Sequence, residues 1–236
     1  MKKRMTKDLK FFLFVAFWCS VTAFSQDLSV KYSFIKNGLS IKDYNLDIQK
    51  DHSLFYDSEY CLDNINIKSQ LIILKDNSSE IKVLDKAGDV SVSTRKQIQL
   101  NWRMINETKI IENYTCQKAE VIYGNKKWIV WFTNDLPFQD GPFVFKGLPG
   151  LILVAESEQY KFELLEINKS LNKQCSIKQE GRKELSYDKY QSLFDNITNK
   201  NNNLLNSISN LGLKLETDFR SMSEKETKNN AIRELL

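Results

Sequence analysis

The residues able to perform acid–base or metal chemistry are few and scattered. His52 is the single histidine, and it follows a charged run that predicts an exposed loop. One histidine argues against a His-rich zinc site and against a Ser-His-Asp triad. Asp57, Glu59 and Asp63 are the nearest candidates for paired carboxylates, and an exposed polar loop is the favoured explanation for them. No nucleophile-elbow, zinc-protease or phosphate-loop motif is present. The sequence therefore predicts no catalytic residue, no metal ligand and no cofactor.

The N-terminus has the pattern of a secretory signal peptide. Five basic residues precede an apolar run from Phe11 to Ala23, which is shorter than the roughly 20 residues that a membrane span needs. Ala23 and Ser25 place small residues where a signal peptidase reads them. We therefore predict cleavage near Ser25/Gln26 and a secreted or periplasmic location. An uncleaved N-terminal anchor is the less favoured alternative.

Charge excludes one class of partner. The predicted leader carries five basic residues and one acidic residue, so the rest of the chain has equal numbers of each. Global electrostatics then gives no reason to expect nucleic acid as a partner.

Three cysteines lie beyond the predicted leader, namely Cys61, Cys116 and Cys175. An oxidising compartment permits one disulfide among them and leaves one thiol over. The spacing does not select the pair, and a buried, unpaired Cys116 is an equal alternative. None of the spacings fits a redox or zinc motif.

The sequence predicts strands in the first part of the chain and helices in the last part. Alternating or β-rich segments separated by polar turns predict strands at Leu28–Phe34, Leu54–Tyr60, Gln70–Leu74, Ile81–Leu84, Val90–Ser93, Gln97–Met104, Cys116–Tyr123, Lys126–Thr133, Gly150–Glu156, Tyr160–Ile167 and Cys175–Lys178. Gly124-Asn125 supplies the positive φ angles of a two-residue hairpin. The strand Lys126–Thr133 carries apolar groups on both faces, which predicts a central, covered strand.

Helical spacing replaces this alternation after residue 186. Tyr187, Tyr190 and Phe194 recur at helical intervals, and Ser186 is a suitable N-cap. Asn199–Asn203 predicts a polar break, and Ser223 begins a capping-box pattern. We predict a signal peptide over 1–25, one mainly-β domain over 26–220, and a short C-terminal helix or tail over 221–236. The predicted fold class is α+β, mainly antiparallel β, with a curved sheet or half-barrel and C-terminal helices.

All three prolines fall in one short apolar segment, together with three glycines. Its predicted turn residues are Gly141, Pro142, Gly147, Pro149 and Gly150, and Pro149-Gly150 predicts a type II turn with positive φ at Gly150. The favoured interpretation is a stiff connection that closes the sheet on its core. The functional alternative is a groove for an apolar or peptide ligand, lined by Phe138, Asp140, Phe143, Phe145 and Leu148.

Several motifs occur in an order that resembles a known family. Gly147-Leu148-Pro149-Gly150-Leu151-Ile152 is similar to the signature of the GLPGLI family of secreted Bacteroidetes proteins. Tyr114–Ala119 resembles its Y-x-C-Q-K-A motif, and Asn229–Leu235 resembles its N-N-P-I-E-L ending with Ala231 in place of proline. The resemblance implies export and does not identify a biochemical reaction.

Three functions follow as hypotheses. The first is an exported, non-enzymatic binding or accessory protein of the cell envelope, with an apolar or peptide ligand. The second is a carboxylate- or metal-dependent envelope enzyme, against which the missing nucleophile and base motifs count. The third is a structural interaction module for an outer-membrane protein.

Overall fold

The computed structural model describes residues 27–61, 71–87, 90–169, 181–210 and 230–236. These residues form twelve strands, one short 3-10 helix (Ser58–Cys61) and one long helix, α1 (Tyr187–Asn210). The strands are β1 (Leu28–Lys36), β2 (Leu39–Ile48), β3 (His52–Asp57), β4 (Ile72–Asp76), β5 (Glu80–Ala87), β6 (Val90–Gln97), β7 (Arg103–Ile111), β8 (Tyr114–Tyr123), β9 (Lys126–Thr133), β10 (Leu151–Glu156), β11 (Tyr160–Asn168) and β12 (Lys183–Glu184). Among the described residues, no helix has the length and apolar character needed to cross a membrane.

The strands belong to one sheet made of two antiparallel meanders. Its order is β12-β6-β5-β4-β3-β2-β1-β11-β10-β9-β8-β7. Strands β1 to β6 follow each other in space, as do β7 to β11, and the pairing of β1 with β11 joins the two runs. The two-residue strand β12 adds a parallel pairing along β6, and the other pairings between the described strands are antiparallel. The prediction of a mainly antiparallel α+β fold with a C-terminal helix is confirmed.

One hydrophobic core joins strands that are distant in the sheet order. Phe55 on β3 meets Phe162 on β11 edge to face with ring centroids 5.9 Å apart, and Trp128 on β9 lies 4.8 Å from Phe145. Such aromatic contacts stabilise a core beyond simple area burial. On β9, Trp128, Val130 and Phe132 are buried on one face, and Trp131 and Thr133 are buried on the other. The predicted two-sided burial of this strand is confirmed.

Two hairpin turns have the same backbone chemistry, although the sequence analysis predicted one of these hairpins and missed the other. Gly124 and Asn125 have φ angles of 58° and 57°, as the predicted two-residue turn requires. Asn37 and Gly38 form an equivalent turn, with φ angles of 51° and 77°, and lead into β2. Strand β2 is absent from our sequence prediction because its charged residues obscure the alternation, although Asn-Gly is a strong hairpin signal.

Two further sequence predictions are wrong. The strand expected at Gln97–Met104 begins instead at Arg103 and runs to Ile111. The break expected at Asn199–Asn203 does not occur, because α1 continues through it to Asn210. Asparagine is a weak helix former, yet the run contains neither glycine nor proline to stop the helix. Cys175–Lys178 and Ser223 lie outside the described residues.

The last residues pack onto the sheet. Residues 230–233 form one helical turn, and Ile232 and Leu235 are buried in the core. The Arg233 guanidinium lies over the Phe194 ring of α1, 4.4 Å from its centroid. Within residues 230–236 the C-terminal segment thus contributes one helical turn, which is held by both α1 and the core.

Candidate functional site

The proline- and glycine-rich segment connects β9 to β10, and we call residues 134–150 the crossover. Its backbone folds against the start of β10, since Leu151 donates to the Leu136 carbonyl at 2.9 Å and Ile152 donates to the Asp140 carbonyl at 2.9 Å. Gly147 donates to the Gln139 carbonyl at 2.9 Å. These bonds satisfy backbone groups that a buried connection would otherwise leave unpaired.

The side chains predicted to line a groove lie mostly inside the core. Phe143 and Phe145 are fully buried, and Leu148 is nearly so, while Phe138 is half-buried. The Phe143 ring stacks 5.9 Å from Phe162. Because these rings are covered by the sheet, the groove that the sequence suggested along this segment is not open. The stiff-connection interpretation fits their burial.

Asp140 does not form a polar rim either. Its carboxylate forms an ion pair with Lys75 of β4, whose side chain is 1% exposed. The Lys75 ammonium also donates to the Gly141 carbonyl at 2.6 Å. Burial lowers the pKa of Lys75, and the Asp140 charge opposes that effect. The pair therefore anchors the crossover to the other half of the sheet.

A second lysine fastens the outer end of the crossover. Lys146 donates to the Asp76 and Ser78 carbonyls at 2.7 and 2.6 Å, which lie at the β4–β5 turn. The Trp102 indole N–H donates to the Lys146 carbonyl at 2.9 Å. The crossover is thus tied to three separate parts of the chain.

The predicted type II turn at Pro149-Gly150 is wrong, because Gly150 does not have a positive φ. Positive φ occurs at Gly147, with a value of 88°, and not at Gly150. Gly150 is needed for a different reason, because a Cβ there would lie 1.9 Å from the Thr133 carbonyl oxygen. Phe143 also has positive φ, at 57°, which is uncommon for an aromatic residue.

Among the described residues, His52 and the acids Asp57 and Glu59 do not form one cluster. Asp57 forms an ion pair with Lys42 and accepts a hydrogen bond from the Glu59 amide at 2.9 Å, and Asp63 lies outside the described residues. His52 begins β3 opposite Asp76 and is half-buried, not in a loop as expected. No group of three or more potential ligands capable of holding a metal ion occurs in the described part of the chain.

Cys116 is a free, buried thiol. Burial raises its pKa to about 11, so the thiolate needed for disulfide exchange or metal binding is disfavoured at neutral pH. In the described part of the chain Cys116 forms no disulfide. The Cys61 side chain and Cys175 lie outside the described residues, and their pairing stays a prediction.

Sequence reasoning missed a buried cluster around Asp85 on β5. Its fully buried carboxylate accepts from the Arg233 Nε and Nη2 atoms, both at 2.7 Å, and from the Tyr190 hydroxyl at 2.9 Å. Burial, followed by the Asp85 charge, raises the pKa of Tyr190. This cluster holds α1 and the last helical turn against the sheet.

Lys96 on β6 lies between two tyrosine rings. Its ammonium lies 4.6 Å from the Tyr187 ring centroid and 5.3 Å from that of Tyr123. Burial lowers its pKa to about 8. The two ring faces favour the charged form. Because Tyr187 belongs to α1 and Tyr123 to β8, this lysine links these two elements.

Several concave surfaces occur on the described part of the chain. A cavity of about 590 Å³ lies between the β8–β9 and β10–β11 turns and is lined by polar groups such as Lys126 and Glu156. A second cavity of about 340 Å³, which we call the α1–β6 groove, is lined by Ala87, Val90, Val92, Leu185, Leu193 and Ile197, with Lys183 and Lys189 at its edge. The α1–β6 groove is the more apolar of the two, which suits a ligand site.

Comparison with known proteins places this architecture in a family. The family model described as N-glycanase peptide, N-terminal domain, matches residues 60–201, which is more than half of the chain. This chain belongs to that family. The match to the N-glycanase N-terminal domain family begins in the 3-10 helix after β3 and ends within α1. It therefore includes the crossover and strands β4 to β12, and leaves out β1 to β3.

Solved structures share the fold. PNGF-II in a P21 crystal form matches with a TM-score of 0.59 and 17% identity, over 71% of this chain and 33% of that chain. PNGF-II in a C2 crystal form matches with a TM-score of 0.59 and 18% identity, over 71% of this chain and 32% of that chain. This chain thus spans about a third of the length of PNGF-II. A search of curated proteins gave no match.

Proposed function

We propose that this chain is an exported, non-enzymatic binding or accessory protein of the cell envelope. The observation that carries the proposal is its membership of a family named for an N-terminal domain. In PNGF-II the equivalent fold makes up only about a third of the chain. A domain of this kind is suited to binding or positioning another molecule.

The local chemistry supports binding over catalysis. The two most buried acid–base pairs, Lys75–Asp140 and Asp85–Arg233, each neutralise one another inside the fold. Charges held in this way stabilise packing between elements and present no reactive group at an open surface. The α1–β6 groove, by contrast, is an accessible apolar cavity.

The proposal includes the cellular location of the protein. The basic start, the short apolar run and Ala23-Phe24-Ser25 support export with cleavage near Ser25/Gln26. Membership of the GLPGLI family, suggested by Gly147–Ile152 together with Tyr114–Ala119, would agree with an exported location.

The family description also favours one alternative, a glycan-releasing envelope enzyme. To separate the two functions, the purified chain is incubated with a denatured N-glycosylated protein, and released glycans are measured by mass spectrometry. We expect no release above the protein-free control, and retention of the glycoprotein's mass. Time-dependent loss of intact glycans, abolished by heating the chain, would replace the binding proposal with the enzymatic one.

A third function, an interaction module for an outer-membrane protein, is favoured by the β7 edge. Among the described strands, β7 pairs with β8 alone, and its Ile110 is 75% exposed. Its register shift between Ile105 and Thr108 is a β-bulge, a feature that commonly protects sheet edges from pairing. The edge therefore ranks below the α1–β6 groove as a binding surface.

A further inference from the structure

Helix α1 has one apolar face, and the edge of that face along β6 is less deeply buried than the rest. Tyr190 and Phe194, four residues apart, are buried beneath the helix. Leu193 and Ile197, also four apart, are half-buried and line the α1–β6 groove. The four residues share the i, i+3, i+4, i+7 spacing of one helix face, so Leu193 and Ile197 form its less buried edge, beside β6.

The opposite wall of the groove comes from the end of β5 and the start of β6. Val92 is buried, whereas Val90 remains 53% exposed. An exposed valine facing an apolar helix row leaves apolar surface in contact with water, at a cost of roughly 25 cal/mol per Å². A ligand with an apolar chain would remove that surface from water.

The edge of the groove is positively charged. Lys183 and Lys189 contribute to its lining and are exposed. Within the described ranges neither lysine has an acidic partner, since the nearby Glu184 pairs with Arg95 and Asp85 pairs with Arg233. The lysines therefore complement an anionic group placed at the mouth of the groove.

Size decides between a small ligand and a protein partner. The groove has a volume of about 340 Å³, which lies near the lower end of the roughly 300–1,000 Å³ typical of small-molecule sites. A stable protein partner would need about 800 Å² of buried surface on each side. A single-chain ligand fits this groove better than a folded protein does.

We propose that the α1–β6 groove binds a single-chain amphiphile with a carboxylate head, the acyl chain packing along Leu193, Ile197 and Val90 and the carboxylate lying between Lys183 and Lys189. The inference rests on the proposed binding function and names its class of ligand. It requires no catalytic step.

Calorimetric titration with laurate, below its micelle concentration, tests the proposal on the chain that begins at Gln26. We expect saturable binding of one laurate per chain. Charge reversal of both edge lysines, Lys183→Glu with Lys189→Glu, should weaken binding roughly tenfold, because each exposed ion pair contributes up to about 1 kcal/mol. Leu193→Asp should weaken it at least as strongly, since a carboxylate then occupies the apolar wall. A circular dichroism melt of each variant shows whether it remains folded.

The matched control reverses two lysines at the other end of the strands. Lys50 and Lys169 are exposed, and the β2–β3 turn containing Lys50 lies at the opposite end of the meander from the β5–β6 turn. Lys50→Glu with Lys169→Glu should leave laurate binding unchanged. Equal weakening by this control, equally tight binding of dodecyltrimethylammonium, or no binding by the folded wild type would each overturn the proposal. Glycan release by the same protein would instead overturn the proposed function and leave the groove result standing.

Discussion

Replacing Gly150 with alanine should destabilise the protein by about 3 kcal/mol, at the upper end of the usual cost of overpacking. The added Cβ would lie 1.9 Å from the carbonyl oxygen of Thr133 and 2.6 Å from its carbonyl carbon. Backbone atoms cannot rotate aside as a side chain does. The crossover or the end of β9 must therefore move, and Thr133 pairs with Leu151 at that point of the sheet.

Gly147→Ala is the matched control for this prediction. Gly147 has a φ of 88° but no crowding, since the nearest atom to an added Cβ is the Trp102 indole nitrogen at 4.0 Å. Its cost should be only the backbone term of about 1–2 kcal/mol. Urea denaturation of both variants measures the difference. A Gly150→Ala variant as stable as Gly147→Ala would show that the crossover does not approach β9 this closely.

Asp140→Asn should destabilise the protein by about 3–5 kcal/mol, the usual cost of removing one partner from a buried ion pair. The Lys75 ammonium is 1% exposed and would keep only the Gly141 carbonyl among the partners described above. From the sequence alone Asp140 was a candidate groove-lining residue, whereas the structure places its carboxylate in an ion pair with Lys75. The double variant Lys75→Met/Asp140→Asn should recover part of the loss, because it also removes the buried charge.

The pH dependence of Asp140→Asn provides an independent check. Burial already lowers the pKa of Lys75, and the Asp140 charge counteracts that effect. Without the carboxylate, the folded-state pKa should fall further below the unfolded value. Between these two values the unfolded state binds more protons, so stability rises with pH. The variant should therefore regain stability between neutral pH and about pH 10 more than wild type does. A parallel pH response in both proteins would mean that Lys75 and Asp140 are not coupled.

Local patterns account for much of the fold. Gly124-Asn125 predicted a hairpin because a tight turn has few backbone solutions, and the two-sided apolar strand β9 predicted its own central position. Strand β2 was predictable in principle from Asn37-Gly38. The pairing of β1 with β11 was not, since no local pattern reports which strands meet across more than a hundred residues.

The site was harder to predict because it depends on contacts between distant residues. The sequence identified the crossover as unusual, and the structure shows its backbone hydrogen-bonded to the start of β10. It could not show that Lys75 lies beneath Asp140, or that Arg233 reaches Asp85, since each pair is far apart in sequence. The sequence analysis required glycine at position 150 because it predicted a positive φ there. The structure requires glycine because an added Cβ would meet Thr133, a contact that exists only in the folded sheet.

The most direct test of the central claim is native mass spectrometry of the protein purified from its own cell envelope. An exported binding protein should be recovered outside the cytoplasm, with an N-terminus at or within a few residues of Gln26. It should also carry a non-covalent molecule that is released on unfolding. Recovery of full-length protein from the cytosol as the main form, with no bound molecule, would contradict the account.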